Sequence, residues 1–425
     1  MTSRRRSVRQ NYSCLLPWRL LQCWPVPLMH VRRLCYSASP QCEFEPLFNP
    51  CRSLVRGRVA SKWGFEMSRE ERVSAIQALQ SERGGTKVLS FVTSTRPNYE
   101  SHMAMDVIPI IYEHLMRIDT PPSDTKIDLY LSSNGGDGVV PWKLVTLIRD
   151  FCSEFTVLVP FRCFSAATLT CLGADSVIMH PMGMLGPTDP TVANEFNPPN
   201  PNMPGRVLGI SVEDVASYIA LVKQDVGIQH EDELIQAFNH LAEKVHPLAL
   251  GNVKRHTLQS QLMGTKLLKS RVATQLEDHV IEEIIKKLTS ESFFHGHPIN
   301  RKEARTDMGL TFVADATPAV RDRMWDLYKL YVEENRLHDA WLPIQEAISL
   351  QPVPRAAAGA PPNIDTAALP TVRAVSVESE LRCDVFEEEY EVTISHFDNG
   401  LYNGQIGLIR QEWRCEDDGV AILAH

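Results

Sequence analysis

The stretch Ile127–Pro190 constrains this chain more tightly than any other part of it. Ile127, Leu129 and Leu131 alternate along a strand-like run that ends at Ser132-Ser133-Asn134-Gly135-Gly136, where the chain must turn sharply. Val140, Leu144, Leu147, Ile148 and Phe151 then recur at helical spacing, and Phe155–Pro160 reads as a short buried strand. Strand, helix and strand of this length form a right-handed βαβ unit, whose ligands sit at the carboxyl ends of the strands. Ser165 opens a second helix of small residues, Ala166-Ala167-Thr168. Gly135-Gly136 and Ser165 are therefore expected on one rim.

That rim suits acyl transfer. A serine hydroxyl needs a base to take its proton, and the tetrahedral intermediate needs donors aimed at its oxyanion. The amide of Ala166, in the first turn of its helix, has no intrahelical partner. A glycine at 135 or 136 lets a second amide approach closely, because no Cβ intervenes. The reading assigns Ser165 as nucleophile and Gly135, Gly136 and Ala166 as the substrate-binding amides. Alone, Gly-Gly is a common turn and Ser165 a common helix cap; together they are far more specific.

The same residues carry a resemblance. Asn134-Gly135-Gly136-Asp137, Ser165-Ala166-Ala167-Thr168, the run Leu172–Met179 and Leu185-Gly186-Pro187-Thr188-Asp189-Pro190 resemble the ClpP/crotonase superfamily. Within it they are most similar to SppA-like peptidases of the serine dehydrogenase proteinase branch. The similarity runs from about Lys87 to Arg336. It implies an α/β fold with a repeated ββα core and a helical extension that covers the site and carries subunit contacts. It also implies a serine peptidase that cuts peptide or protein substrates as a homo-oligomer, with no cofactor and no metal. Ala167 stands where the family usually has glycine.

The base is less legible. SppA-type enzymes, which the chain resembles, supply a lysine from a downstream segment, but here the segment before the Ser211-Val212-Glu213-Asp214 helix start holds Arg206, not lysine. Arginine stays protonated and cannot serve. Lys223, on a helix with Tyr218, Ile219 and Val222, is the first candidate, and partial burial there would lower its pKa toward neutrality. His180 is the second, because ClpP-type enzymes use a histidine after the following strand. Lys244 and His246 remain open.

Outside the core, the N-terminus differs in charge from the body. Residues 1–42 hold seven arginines and no acid, so the net charge of −9 leaves the remainder at −16. A body that acidic excludes nucleic-acid binding through a basic face. There is no apolar run of transmembrane length, although peripheral membrane association stays open. Residues 1–66 read as a leader, either an organellar presequence directing the protein to the mitochondrial matrix or another organelle, or a non-native extension before a start at Met67. In the second case the protein is cytoplasmic. Five of ten cysteines lie at or before Cys51 and no Cys-x-x-Cys pair occurs, so neither zinc nor a redox site is indicated. Cys163 reads as buried packing rather than as a nucleophile. His295-Gly296-His297 has no third ligand at suitable spacing.

The chain divides on this reading into 1–66, a peptidase domain over 67–340, a Pro/Ala-rich linker over 341–370 and a small β-rich module over 371–425, with Asn399-Gly400 and Asn403-Gly404 as hairpin signals. A catalytically impaired oligomeric scaffold of the same fold is the alternative function. A crotonase-like acyl-CoA enzyme is a weaker third, because no CoA-binding lysine cluster is evident.

Overall fold

A computed structural model describes residues 68–189, 191–192, 194–200, 207–272, 275–291, 296–417 and 421–422. The leader, Arg206 and His295 lie outside the described residues. The chain opens with helix α1 (Ser68–Glu82), strand β1 (Lys87–Thr93) and helix α2 (Val107–Leu115). The βαβ unit follows as β2 (Lys126–Ser132), α3 (Val140–Arg149) and β3 (Glu154–Val159), then α4 (Ala166–Leu172) and β4 (Ser176–Met179). A helical stretch comprises α5 (Val212–Ala220), continued by a π-turn over Leu221–Asp225, then α6 (Glu231–Lys244), α7 (Pro247–Lys269), α8 (Asp278–Lys286) and α9 (Arg301–Thr306). Strand β5 (Val313–Asp315) and α10 (Pro318–Glu334) close the body.

Strands β5, β4, β3, β2 and β1 lie side by side and parallel, with consecutive strands adjacent. Right-handed crossovers then place α2, α3 and α4 on one face. Their apolar stripes meet the sheet in the larger core, through Ile111, Leu144, Ile148, Leu172 and Val157. The other face is covered by α1 and α10, where Ile76, Leu79, Met324 and Leu327 pack on Val88, Val92 and Tyr130. Burial on both faces explains why these strands are apolar nearly throughout.

The C-terminal residues correct the expected domain plan. Residues 341–370 hold helix α11 (Pro343–Leu350) and strand β6 (Asn363–Ala368) instead of an unstructured linker. Residues 371–425 are not a separate module. Strand β7 (Val372–Glu378) pairs antiparallel with β1, and β8 (Cys383–His396), β9 (Tyr402–Cys415) and β10 (Ala421–Ile422) extend the same ten-stranded sheet. The physical reason is the open edge of β1, whose unpaired amides and carbonyls would otherwise face solvent. The junction is locked by buried charge. Glu378, fully buried at the end of β7, accepts from Arg69 at 2.6 Å and Arg72 at 2.7 Å, both on α1, and from the Tyr331 hydroxyl of α10 at 2.8 Å. Gly400 forms the β8–β9 turn with φ of 82°, whereas Asn403-Gly404, read as a second turn, lies within β9.

Candidate active site

Ser165 stands between a short strand and α4 with φ of 52° and ψ of −114°. A non-glycine residue rarely adopts positive φ, and such strain persists only where the surroundings impose it. Here they are well ordered. Ser133, just past β2, donates its amide to the Arg162 carbonyl at 2.8 Å and accepts the Phe164 amide at 3.0 Å, which fixes the approach to Ser165. On the far side, the Thr168 hydroxyl donates to the carbonyls of Cys163 at 2.7 Å and Gly186 at 2.9 Å, and accepts the Gly186 amide at 3.0 Å. The Ser165 side chain makes no cap hydrogen bond and is half-buried.

The Gly-Gly turn lies directly against this serine. A Cβ added to Gly135, whose φ is +97°, would stand 2.5 Å from the Phe164 carbonyl oxygen, 2.8 Å from Ser165 Cβ and 2.9 Å from the Ala166 amide nitrogen. No side chain fits there. The Gly135 amide donates to Ser133 Oγ at 3.0 Å, and Thr93 donates to the same oxygen at 2.9 Å. The Gly135 carbonyl accepts the Met103 amide at 2.7 Å, and Asp137 donates to the Met103 carbonyl at 2.9 Å. This parallel bridge turns the Gly136 amide away from Met103. A Cβ on Gly136 would lie 2.3 Å from the Met103 oxygen, so this position too is closed to larger residues. Sequence reasoning missed Ser133 and Thr93, although Ser133 sits two residues before Gly135.

Neighbouring residues have structural roles. Ala167 is fully buried, so its methyl group is housed in the core. Cys163 is also buried, donates to the Leu131 carbonyl at 3.0 Å, and burial drives its thiol well above the ordinary range. A thiolate nucleophile is therefore disfavoured there.

The candidate bases do not have the settings expected of them. Lys223 is exposed on the π-turn, where Val222 is the buried residue, so the expected partial burial is absent. His180 lies within the layer of α10, its ring stacked on Trp325 with centroids 4.9 Å apart. Its Nδ1 accepts the Met182 amide at 3.0 Å. Burial, assisted by Arg301 and Arg321, lowers its pKa. Helix α4 packs on the opposite face of the sheet, so His180 and α4 belong to different layers. His246 is exposed, caps α7 by accepting the Leu248 amide, and stacks on Phe196. Lys244 is exposed as well.

Residues 71–207 match the family model of ClpP-like, SDH-type serine proteinases. The matched stretch contains Ser165, Gly135, Gly136 and Ala166. Two proteins of Methanocaldococcus jannaschii are similar over longer spans, and both are described only as uncharacterized. One is 22% identical over 269 residues, 61% of this chain and 76% of the relative. The other is 25% identical over 225 residues, 53% of this chain and 65% of the relative. Among the described residues no helix is long and apolar enough to cross a membrane.

Proposed function

We propose that the protein is a serine peptidase of the SppA and serine dehydrogenase proteinase type, with Ser165 as its nucleophile. One observation carries this reading: a strained serine at a strand-to-helix turn with a glycine turn packed directly on it. Nucleophile elbows have this form, because the strain lifts the hydroxyl clear of its own helix. In the proposed reaction Ser165 Oγ attacks the scissile carbonyl. The amides of Gly136 and Ala166 receive the oxyanion, while Gly135, tied to Ser133 and Met103, allows the close approach. Each such donor is typically worth about 10²–10³ in kcat. The substrate is a peptide or protein, and the active form is a homo-oligomer.

A second reading, an inactive scaffold of the same fold, is favoured by the exposure of Lys223 and the stacking of His180 on Trp325. A fluorophosphonate probe followed by peptide mapping, alongside cleavage of a fluorogenic peptide library, separates the two. The peptidase reading expects an adduct on Ser165, and Ser165→Ala should abolish cleavage without changing the unfolding midpoint. Cleavage at the wild-type rate by Ser165→Ala would exclude this serine as nucleophile. A folded wild-type chain with neither adduct nor cleavage would favour the scaffold.

A further inference from the structure

A second serine lies at the opposite end of the sheet, with a histidine beside it. Ser379 directly follows β7, which runs antiparallel to β1, so it sits by the amino-terminal end of β1. The Gly-Gly rim is at the carboxyl-terminal end, and β1 alone spans about 20 Å at its rise per residue. Ser379 Oγ lies 3.0 Å from His114 Nδ1, at the end of α2. His114 Nε2 lies 3.1 Å from Asp384 Oδ2, at the start of β8. Arg382 holds Asp384 through two further hydrogen bonds of 2.5 and 2.8 Å. Three separate elements thus bring a serine, a histidine and an aspartate into one row, joined by the Ser379–His114 hydrogen bond and by the 3.1 Å approach of His114 Nε2 to Asp384.

The polarity of the row follows from its chemistry. A carboxylate only accepts, so neutral His114 places its proton on Nε2 toward Asp384. Its Nδ1 lone pair then faces Ser379, whose hydroxyl donates. This is the arrangement of nucleophile, base and orienting acid that activates a serine. Burial, the largest influence, lowers the pKa of His114 and keeps it neutral near pH 7. Burial opposes the charge of Asp384, but the hydrogen bonds from His114 and Arg382 prevail and keep its pKa low. Ser379 itself is half-buried and lines a narrow recess in which Leu89, Leu115 and Ile127 stand beside the charged Lys87, Arg117 and Glu380.

We propose that Ser379, His114 and Asp384 form a second hydrolytic site, acting on small uncharged esters with a short aliphatic acyl group. Ser379 Oγ bonds to the ester carbonyl carbon and passes its proton to His114 Nδ1. The ester C–O bond then breaks, and the departing alkoxide takes that proton. Water, deprotonated by the same nitrogen, then bonds to the acyl carbon, the acyl C–Oγ bond breaks, and Ser379 Oγ takes the proton back from His114 Nδ1 as the carboxylic acid leaves. The Leu381 amide donates to Ser379 Oγ itself at 3.4 Å. The site is therefore assigned activated esters, whose reaction asks least of oxyanion donors, each typically worth about 10²–10³ in rate. The narrowness of the recess restricts the acyl chain to a short one.

The test uses the full chain carrying Ser165→Ala, so that the other serine cannot contribute. This protein is treated with a fluorophosphonate and mapped by mass spectrometry, and its hydrolysis of p-nitrophenyl acetate is followed. The expected result is an adduct on Ser379 and acetate turnover that Ser379→Ala removes. His114→Gln should reduce both by about 100-fold or more, the usual worth of a general base. Should His114→Gln fail to fold, Ser379→Ala, which deletes one half-buried oxygen, still decides the matter. No adduct on Ser379 in a folded Ser165→Ala chain, or turnover unchanged in Ser379→Ala, overturns the proposal. Neither outcome bears on peptide cleavage by Ser165, which is read in the wild-type chain.

Discussion

The two ends of the sheet solve opposite halves of one chemical problem. At the carboxyl end, Ser165 has a strained backbone, glycines at contact distance and amides within reach, but its candidate bases lie on exposed or differently packed segments. At the amino end, Ser379 has a histidine at hydrogen-bond distance, an aspartate 3.1 Å beyond it, and a Leu381 amide donating to its own hydroxyl. The difference shows what each kind of structure supplies cheaply. A turn between strand and helix presents amides, because helix starts leave donors unsatisfied. A hairpin closing over a buried helix end presents paired side chains, because buried polar groups must find partners. On the two proposals, oxyanion stabilisation and proton transfer are separable, and the fold places them at opposite ends of the sheet.

The harshest way to break the carboxyl-end arrangement is Gly135→Ala. Its methyl group would meet a backbone oxygen at 2.5 Å in a conformation that L-residues rarely adopt. Strain of this kind costs about 1–3 kcal/mol before any clash is counted, and a backbone contact cannot be relieved by changing a rotamer. We expect a loss of at least about 3 kcal/mol in urea unfolding and the disappearance of the Ser165 adduct. Labelling of Ser379 should persist in whatever fraction folds. Labelling of Ser165 at the wild-type rate would show that the Gly-Gly turn does not shape that site.

A smaller effect is expected from Glu378→Gln, which acts at the amino end. Glu378 is fully buried and pairs with Arg69 and Arg72, while Arg72 also reaches Glu334 at 3.4 Å and Glu416 at 3.3 Å. Breaking a buried pair leaves charge uncompensated at a cost of about 3–5 kcal/mol. Glutamine keeps a hydrogen-bonding oxygen and the remaining carboxylates still serve Arg72, so about 2 kcal/mol is the expected loss. Ser379 follows this residue directly, so its labelling should fall while that of Ser165 stays. Equal loss at both serines would mean that the ends are coupled through β1.

The unequal legibility of these ends in the sequence has a physical cause. The βαβ unit, Gly135-Gly136 and the start of α4 are local: period, turn residues and a small-residue helix lie within one contiguous stretch, and the parallel sheet follows from them. The helical extension expected beyond the core is found as α5 to α8, because amphipathic spacing is likewise local. The C-terminal strands could not be placed, because the partner of Ser90 is Glu378, 288 residues away, and no local pattern encodes that pairing. The Ser379 row was invisible for the same reason, since His114 and Asp384 meet only once β7 docks on β1. The setting of Lys223 was missed for another reason: Val222 takes the buried position on the π-turn, and Lys223, one residue on, falls outside it.

The gentlest probe of the comparison is pH. His114 is held below its ordinary pKa mainly by burial, with Arg382 acting in the same direction and with Asp384 and Glu378 opposing. In the unfolded chain its pKa returns to about 6.5. Above that value neither state binds the proton and the group contributes no pH dependence. As pH falls below it, the unfolded chain gains a proton that the folded chain refuses, so stability is lost. The slope is at most about 1.4 kcal/mol per pH unit, and it ends when the folded pKa is passed. His180 is lowered too and adds in the same sense. The lowered Asp384 gives up its contribution only below about pH 4, outside this window. Urea unfolding at pH 7.5 and 5.5 should therefore show wild type losing more stability on acidification than His114→Gln, by up to about 1 kcal/mol. Equal losses in the two chains would mean that folded His114 takes up its proton as readily as the unfolded chain. Its Nδ1 would then give up the lone pair that Ser379 requires near neutral pH, and the contrast between the two serines would shrink to backbone strain alone.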